Sequence, residues 1–400
     1  VADSPSVAPG RGMLRPWHFV LAFGIVSLLA DMVYEGARSI IGPYLATLGA
    51  SATVVGVVAG AGEFIGYGLR VVSGYAVRRT AHYWTWTILG YGLTVLSVPL
   101  IGVTGVLTPA LLLYGTERLG KAVRSPAKDT LLSHASAQTG RGRAFGVHQA
   151  LDQTGAMLGP LLLAAVLGWR DGDYRLAFGV LALPGVLVLG LLFWLRRRVP
   201  NPLAYEESPD KPQSGTATSQ RLPARYWQYV AAVAVLSCGV ASFPLLAYHA
   251  QTNGLLTDAQ VPILFAVAMF VDGASGLVMG RVYDSWGPLT LLAVPVAAAA
   301  SALAFSRSVL WIWIGVAIWG VVNGVLDSTV KAVVTELVPS SSRAVAFGWL
   351  AFVRGLGLLI AGALLGAAYD RSISLAVELV LVANVIAFGG LAWILRKLRS

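Results

Sequence analysis

Charge is the scarcest property of this 400-residue chain, at 12% of its residues. Soluble domains carry about a quarter. A soluble core of this length needs polar faces between its apolar stripes, and few are present, so an ordinary soluble fold is excluded. There is one cysteine, Cys238, which excludes an internal disulfide and leaves the redox compartment unreadable. No cysteine–histidine cluster suggests a structural metal. The sequence has no His-Glu-x-x-His, no phosphate-binding glycine loop and no Gly-x-Ser-x-Gly, so the common hydrolase and nucleotide-dependent enzyme signatures are missing. Most connections are too short for a separate catalytic or sensory domain. No cofactor and no metal are expected.

Hydrophobic residues make up 56% of the chain. Apolar runs of about 20 residues recur along it, the mark of membrane helices. The pattern predicts an all-α membrane protein with twelve spans, at 17–48, 53–77, 83–104, 108–134, 142–168, 174–195, 226–250, 260–282, 288–306, 309–337, 344–369 and 374–395. The first run is too long for a signal-peptide core and reads as a retained span. The net charge of +10 sits mostly in alternate connections. One set holds Arg11, Arg15, Arg78, Arg79, Arg141, Arg143, Arg196, Arg197, Arg198, Lys211, Arg221, Arg225, Arg281, Arg343, Arg396, Lys397 and Arg399. The other holds only Arg170, Arg175, Arg307 and Arg371. The positive-inside rule then puts both termini in the cytoplasm, with the chain integral to the cytoplasmic membrane.

The longest polar stretch, 199–225, is rich in Pro, Ser and Thr and reads as a flexible linker. It divides the chain into an N-terminal six-helix bundle, 1–198, and a C-terminal one, 226–400. The two look like weak copies. Ser125–Lys128 (SPAK) matches Ser328–Lys331 (STVK), Ala144–Gly155 matches Ala346–Gly357, and Pro43 matches Pro244. Such repeats suit a pseudo-symmetric pair of bundles with a site near mid-membrane between them.

Charges inside the spans are the second signal. Glu117, Lys121, Arg124 and Lys128 recur at four, three and four residues, which aligns them on one helical face. Facing lipid, each would cost about 2.5–3.5 kcal/mol, so that face is expected to look into a water-accessible cavity. Asp31, Glu35 and Arg38 share a face of the first span, and Asp327 and Lys331 one of the tenth. Plainer readings stand beside these. Lys128, Asp129 and His134 can be solvated at a helix end, Arg118 can serve helix pairing alone, and Glu63 with Arg70 can be a structural pair. Glu35 with Arg38 can be a local pair, His148 beside Asp152 a packing histidine, and Asp152 with Arg354 a static clamp. Tyr34, Tyr44, Tyr67, Tyr248 and Trp349 either line a pocket or pack at interfaces.

Three motifs carry a resemblance to the major facilitator superfamily. Gly280–Gly287 (GRVYDSWG) resembles its cytoplasmic gating motif through Gly280, Asp284 and Gly287. The equivalent first-half segment keeps Gly74, Arg78 and Arg79 but has Val77 in place of the aspartate. Gly155–Pro160 (GAMLGP), with Gly155, Gly159 and Pro160, resembles part of its antiporter motif, and Glu117–Asp129 resembles its charged fourth helix. The resemblance implies a secondary transporter working by alternating access, with spans 1, 4, 7 and 10 around the path. It favours proton-coupled export of a small amphipathic organic molecule, drug or metabolite. Asp31 and Glu35 would carry the proton. Tyr34, Arg38, Glu117, Arg118, Lys121, Arg124, Asp327 and Lys331 would line the cavity, and Asp152 and Arg354 would pair helices or gate. The alternative is symport or exchange of an organic anion held by Lys121 and Arg124. Protons are the expected coupling ion, and one chain is long enough to work as a monomer.

Overall fold

A computed structural model of the protein describes residues 14–136, 139, 141–201, 205, 222–339 and 342–399. Most of the expected linker, and the loop cations Arg11, Lys211 and Arg221, lie outside the described residues. The helices are α1 (Pro16–Thr47), α2 (Ala52–Thr80), α3 (Tyr83–Thr104), α4 (Leu107–Ser136), α5 (Arg141–Trp169), α6 (Tyr174–Val180) and α7 (Ala182–Arg198). The second half holds α8 (Ala224–Cys238), α9 (Phe243–Thr252), α10 (Gln260–Trp286), α11 (Ala293–Ala300), α12 (Val309–Leu337), α13 (Arg343–Arg371) and α14 (Ile373–Arg399). Their ends follow local chemistry. Pro16 opens α1 where its missing N–H is not needed. Ser51 caps α2, its side chain accepting from Val54 N, and Gly105 ends α3 at φ +57°.

Ten stretches among the described residues are long and apolar enough to cross a membrane, against the expected twelve. The difference has two physical sources. Six charged residues from Glu117 to Asp129 strip α4 of apolarity. Residues Gln260–Phe305 form one helical run of 46 residues. At 1.5 Å per residue this is about 69 Å, roughly twice a 30 Å hydrocarbon core. Gly287 interrupts that run at φ +68°, a value that suits only glycine.

Buried apolar side chains form two clusters. One draws on residues 19–205, the other on residues 226–395 with Ala52 and Ala156 added. Between the chain halves, α2 packs on α13, α5 on α10 and α1 on α9. Glycine makes the closest of these approaches possible. A Cβ at Gly56 would overlap the Gly362 carbonyl, and one at Gly362 that of Gly56. Gly42 meets the Pro244 carbonyl in the same way.

Besides the bond from Gln153 Nε2 to Met269 O beside the cavity (2.6 Å), polar contacts between the halves gather at one end. Asp370 of α13 accepts from Ala52 N (3.0 Å), Thr53 N (2.9 Å) and Thr53 Oγ1 (2.5 Å), covering the N-terminus of α2. Tyr174 donates to Asp258 at 2.6 Å. At the other end a Cβ on Gly146 or Gly280 would meet nothing within 4 Å, and one on Gly74 only Pro126 of its own half. The halves are thus in polar contact at the end bearing residues 48–51 and 372, and α2 and α13 stay in contact as far along as Gly68 with Phe352 and Gly348 with Val71.

Gly56→Leu should force α2 from α13 and lower stability by about 1–3 kcal/mol, seen as a lower thermal midpoint in detergent. Gly115→Ala, in a part of α4 where a Cβ meets nothing within 4 Å, should raise it slightly.

Candidate functional site

The central feature is a cavity of about 210 Å³ between the halves. From the first half it is lined by Asp31, Tyr34, Glu35 and Arg38 of α1, Glu63 and Tyr67 of α2, Lys121 of α4, and Gln149, Asp152 and Gln153 of α5. From the second half come Val240, Ala241 and Ser242, Met269 and Asp272 of α10, Trp319, Asn323 and Asp327 of α12, and Arg354 of α13.

Its charges are organised as pairs. Arg38 lies 3.4 Å from Glu35 and 3.1 Å from Glu63. Lys121 Nζ lies 3.7 Å from Glu35 and sits over the Tyr34 ring at 4.3 Å. Arg354 donates to Asp327 at 2.6 Å. Lys128 Nζ is 3.7 Å from Asp152 and donates to His148 Nε2 at 3.2 Å, with Ser27 Oγ at 3.2 Å from the same nitrogen. An ammonium has no lone pair, so Nε2 is the acceptor and the ring proton sits on Nδ1.

Several expected residues sit elsewhere. Glu117 and Arg118, each 1% exposed, lie behind the cavity wall, 2.8 Å from one another. Arg118 also reaches Glu63 at 3.5 Å and the Tyr114 ring at 5.1 Å, and so joins α4 to α2. Arg124 is buried between the rings of Tyr91 (4.3 Å) and Tyr34 (5.2 Å) and does not line the cavity. Lys331 lines a separate small pocket with Tyr67 and Arg354. Of the charged α4 face, only Lys121 reaches the cavity, because the neighbouring arginines bind aromatic faces and carboxylates of α1, α2 and α3.

Other readings are corrected as well. Lys128 is not solvated at a helix end; Asp152 holds it, with 15% of its side chain exposed. Glu63 pairs with Arg38 and Arg118 rather than Arg70, which lies over Tyr67. Asp152 and Arg354 do not clamp each other, since each has a partner in its own half. Tyr34 and Tyr67 line the cavity. Tyr44 instead packs on Tyr174 and Phe178, Tyr248 on Tyr369, and Trp349 on Trp227 and Phe352. Gly155 and Gly159 seat α5 against the α1 backbone at Leu28 and Met32, on either side of Asp31. Asp284 is exposed near the end of α10.

One element is new. The seventh expected span is broken between α8 and α9, and the break, Val240 to Ser242, faces the cavity. Its freed carbonyls are satisfied: Asn384 Nδ2 donates to Gly239 O at 2.9 Å and Trp319 Nε1 to Ala241 O at 2.8 Å. Irregular backbone at membrane depth is tolerated where protein or a cavity surrounds it. The signal was there in Gly239 and Pro244, which bracket the break. Asp272 was also missed, although it stands alone among apolar neighbours in its helix; so were Gln149, Gln153 and Asn323.

An all-helical membrane fold enclosing a charged central cavity between two packed halves defines a membrane transport protein. Residues 23–362 match the Major Facilitator Superfamily, and the chain belongs to that family. It is 48% identical over 383 residues to an uncharacterized protein of Mycobacterium tuberculosis, covering 94% of this chain and 93% of the relative. It is 23% identical over 358 residues to an uncharacterized MFS-type transporter of Methanocaldococcus jannaschii, covering 87% of each. Its fold is similar to the crystal structure of the nucleoside transporter NupG, with TM-score 0.77 and 11% identity over 94% of this chain and 99% of that one.

Glu117→Ala should destabilise the protein by about 3–5 kcal/mol, because it strips the nearest carboxylate from a buried arginine. Glu117→Leu combined with Arg118→Met should recover most of that loss. Chemical denaturation of the solubilised protein measures both.

Proposed function

We propose that the protein is a secondary active transporter that exports a small amphipathic organic molecule, drug or metabolite, in exchange for protons. The observation that carries the coupling is Asp31. Its carboxylate is 7% exposed and lines the cavity. Among the described residues it makes no hydrogen bond and no ion pair. A buried carboxylate without a fixed cation is poised between its ionised and protonated forms. Glu35, held by Arg38 and Lys121, is the second member of the relay.

In this reading the moving bodies are residues 1–198 and 226–400, joined by 199–225, and the chain crosses the membrane twelve times, α4 included. With both termini cytoplasmic, the end covered by the Asp370 cap faces outside. The form described is then shut outward, and Gly280, Asp284 and Gly287 gate the inner side. An outside proton reaches Asp31 and weakens its hold on substrate, substrate leaves outward, and the proton is released inward. The organic-anion alternative has less support. Of its two cations, Arg124 lies behind Tyr34 and Lys121 is already on Glu35.

The test is a proton flux. Proteoliposomes containing a trapped pH dye are given a pH gradient and a panel of cationic, zwitterionic and anionic compounds. One class should move protons in wild type and none in Asp31→Asn; unchanged coupling in that variant removes Asp31 from the mechanism. The shut outer face makes a second prediction. Asp370→Ala loses charge-assisted hydrogen bonds worth about 1.5–3 kcal/mol each. In a Cys238→Ser, Ser242→Cys background it should raise labelling by an impermeant thiol reagent added outside by about tenfold or more.

A further inference from the structure

Six carboxylates line the cavity, those of Asp31, Glu35, Glu63, Asp152, Asp272 and Asp327, against three cations. Each cation is engaged: Arg38 by Glu35 and Glu63, Lys121 by Glu35, Arg354 by Asp327. Asp152 is matched from outside the cavity by Lys128. Two carboxylates remain with no ion pair or side-chain hydrogen bond among the described residues, Asp31 on the first half and Asp272 on the second.

The surroundings of both are set by all the elements packed there. Asp31 faces Asp152 of α5, Arg124 and Lys128 of α4 and Glu35 of its own helix. Of these cations, Arg124 is held between Tyr34 and Tyr91, and Lys128 by Asp152. Asp272 faces Asp327 of α12, Glu35 and Arg38 of α1 and Arg354 of α13. The position of Asp272 is fixed by close packing: α12 carries Gly324 there, where a Cβ would overlap the Asp272 carbonyl and Ser275 Oγ and stand 2.9 Å from Asp272 Oδ1. The Tyr67 ring is taken by Arg70 and Arg354, and Trp319 and Met269 complete the wall. Carboxylates beside aromatic faces suit an organic cation, whereas a hard metal ion asks for a shell of oxygen ligands.

We propose that the cavity takes a substrate bearing one organic cationic group, a protonated or quaternary amine, which sits between Asp31 and Asp272 and competes there with a proton. This rests on the transporter reading above and names its substrate class. A ligand touching both carboxylates bridges the two halves. A proton on either one removes half of its hold.

The probes are benzyltrimethylammonium and, as the anion of similar size, phenylacetate. Binding to the purified wild-type protein is measured by calorimetry at pH 8 and pH 5, with proton release followed in weakly buffered solution at intermediate pH. Benzyltrimethylammonium should bind saturably, release protons, and bind more weakly at pH 5, while phenylacetate should not bind. Asp31→Asn and Asp272→Asn should each weaken the cation by about tenfold or more, and Asp272→Glu should restore it. Saturable phenylacetate binding, absence of saturable cation binding, cation binding without proton release, or cation binding unmoved in both amide variants overturns the proposal. The wild-type arms hold even if a variant misfolds. Cation binding without proton-coupled flux in vesicles keeps this class and removes the coupling. Proton-coupled phenylacetate flux does the reverse.

Discussion

An ionised group in hydrocarbon must find an opposite charge, a ring face or water, and the interior of this protein is arranged around that constraint. Its ion pairs tie α1 to α2 and α4, α4 to α5, and α12 to α13. Among the described residues none of these pairs crosses from one half of the chain to the other. Each of these pairs is made within one half, and, among the described residues, Asp31 and Asp272 are left without one. The halves are joined instead by glycine contacts, the bond from Gln153 Nε2 to Met269 O at 2.6 Å, the Asp370 cap, the Tyr174–Asp258 bond, and two guanidinium–ring contacts, Arg354 over Tyr67 and Arg38 over Phe265. Parting two such bodies would break none of these ion pairs.

The repeat sharpens this. By the SPAK and STVK alignment, Arg124 corresponds to Asp327, and Asp152 to Arg354. Each half pairs its fourth helix with its fifth, but from different positions: Lys128, the counterpart of Lys331, with Asp152 in one, and Asp327, the counterpart of Arg124, with Arg354 in the other. The first half keeps its surplus cation, Arg124, under tyrosine rings. The second half leaves Asp272 free, so the halves present unlike faces to the cavity.

Much of this was legible in the sequence. Hydrophobic run length gave the membrane class, and the motifs at Gly155–Pro160 and Gly280–Gly287 gave the family. Helical spacing placed Asp31, Glu35 and Arg38 on one face, and all three line the cavity. The same spacing failed for α4. Periodicity says which residues share a face, not what long side chains do once there. Arg118 and Arg124 were drawn aside by Glu117, Glu63 and aromatic rings that lie remote in sequence or on other helices. The break after α8 was hidden by continuous hydrophobicity, since a hydropathy pattern is blind to backbone hydrogen bonding. The span count fell short for two opposite reasons, too much charge in α4 and no charge or polar gap to divide the run across Gly287.

The break also belongs to one half of the chain. Two carbonyls of the break, those of Gly239 and Ala241, are held by Asn384 and Trp319, side chains of the same half. The first half touches it through bare backbone contact at Gly42 and Pro244. The kink is therefore tied to the half that carries it, and the irregular backbone beside the cavity is a built part of that half's wall.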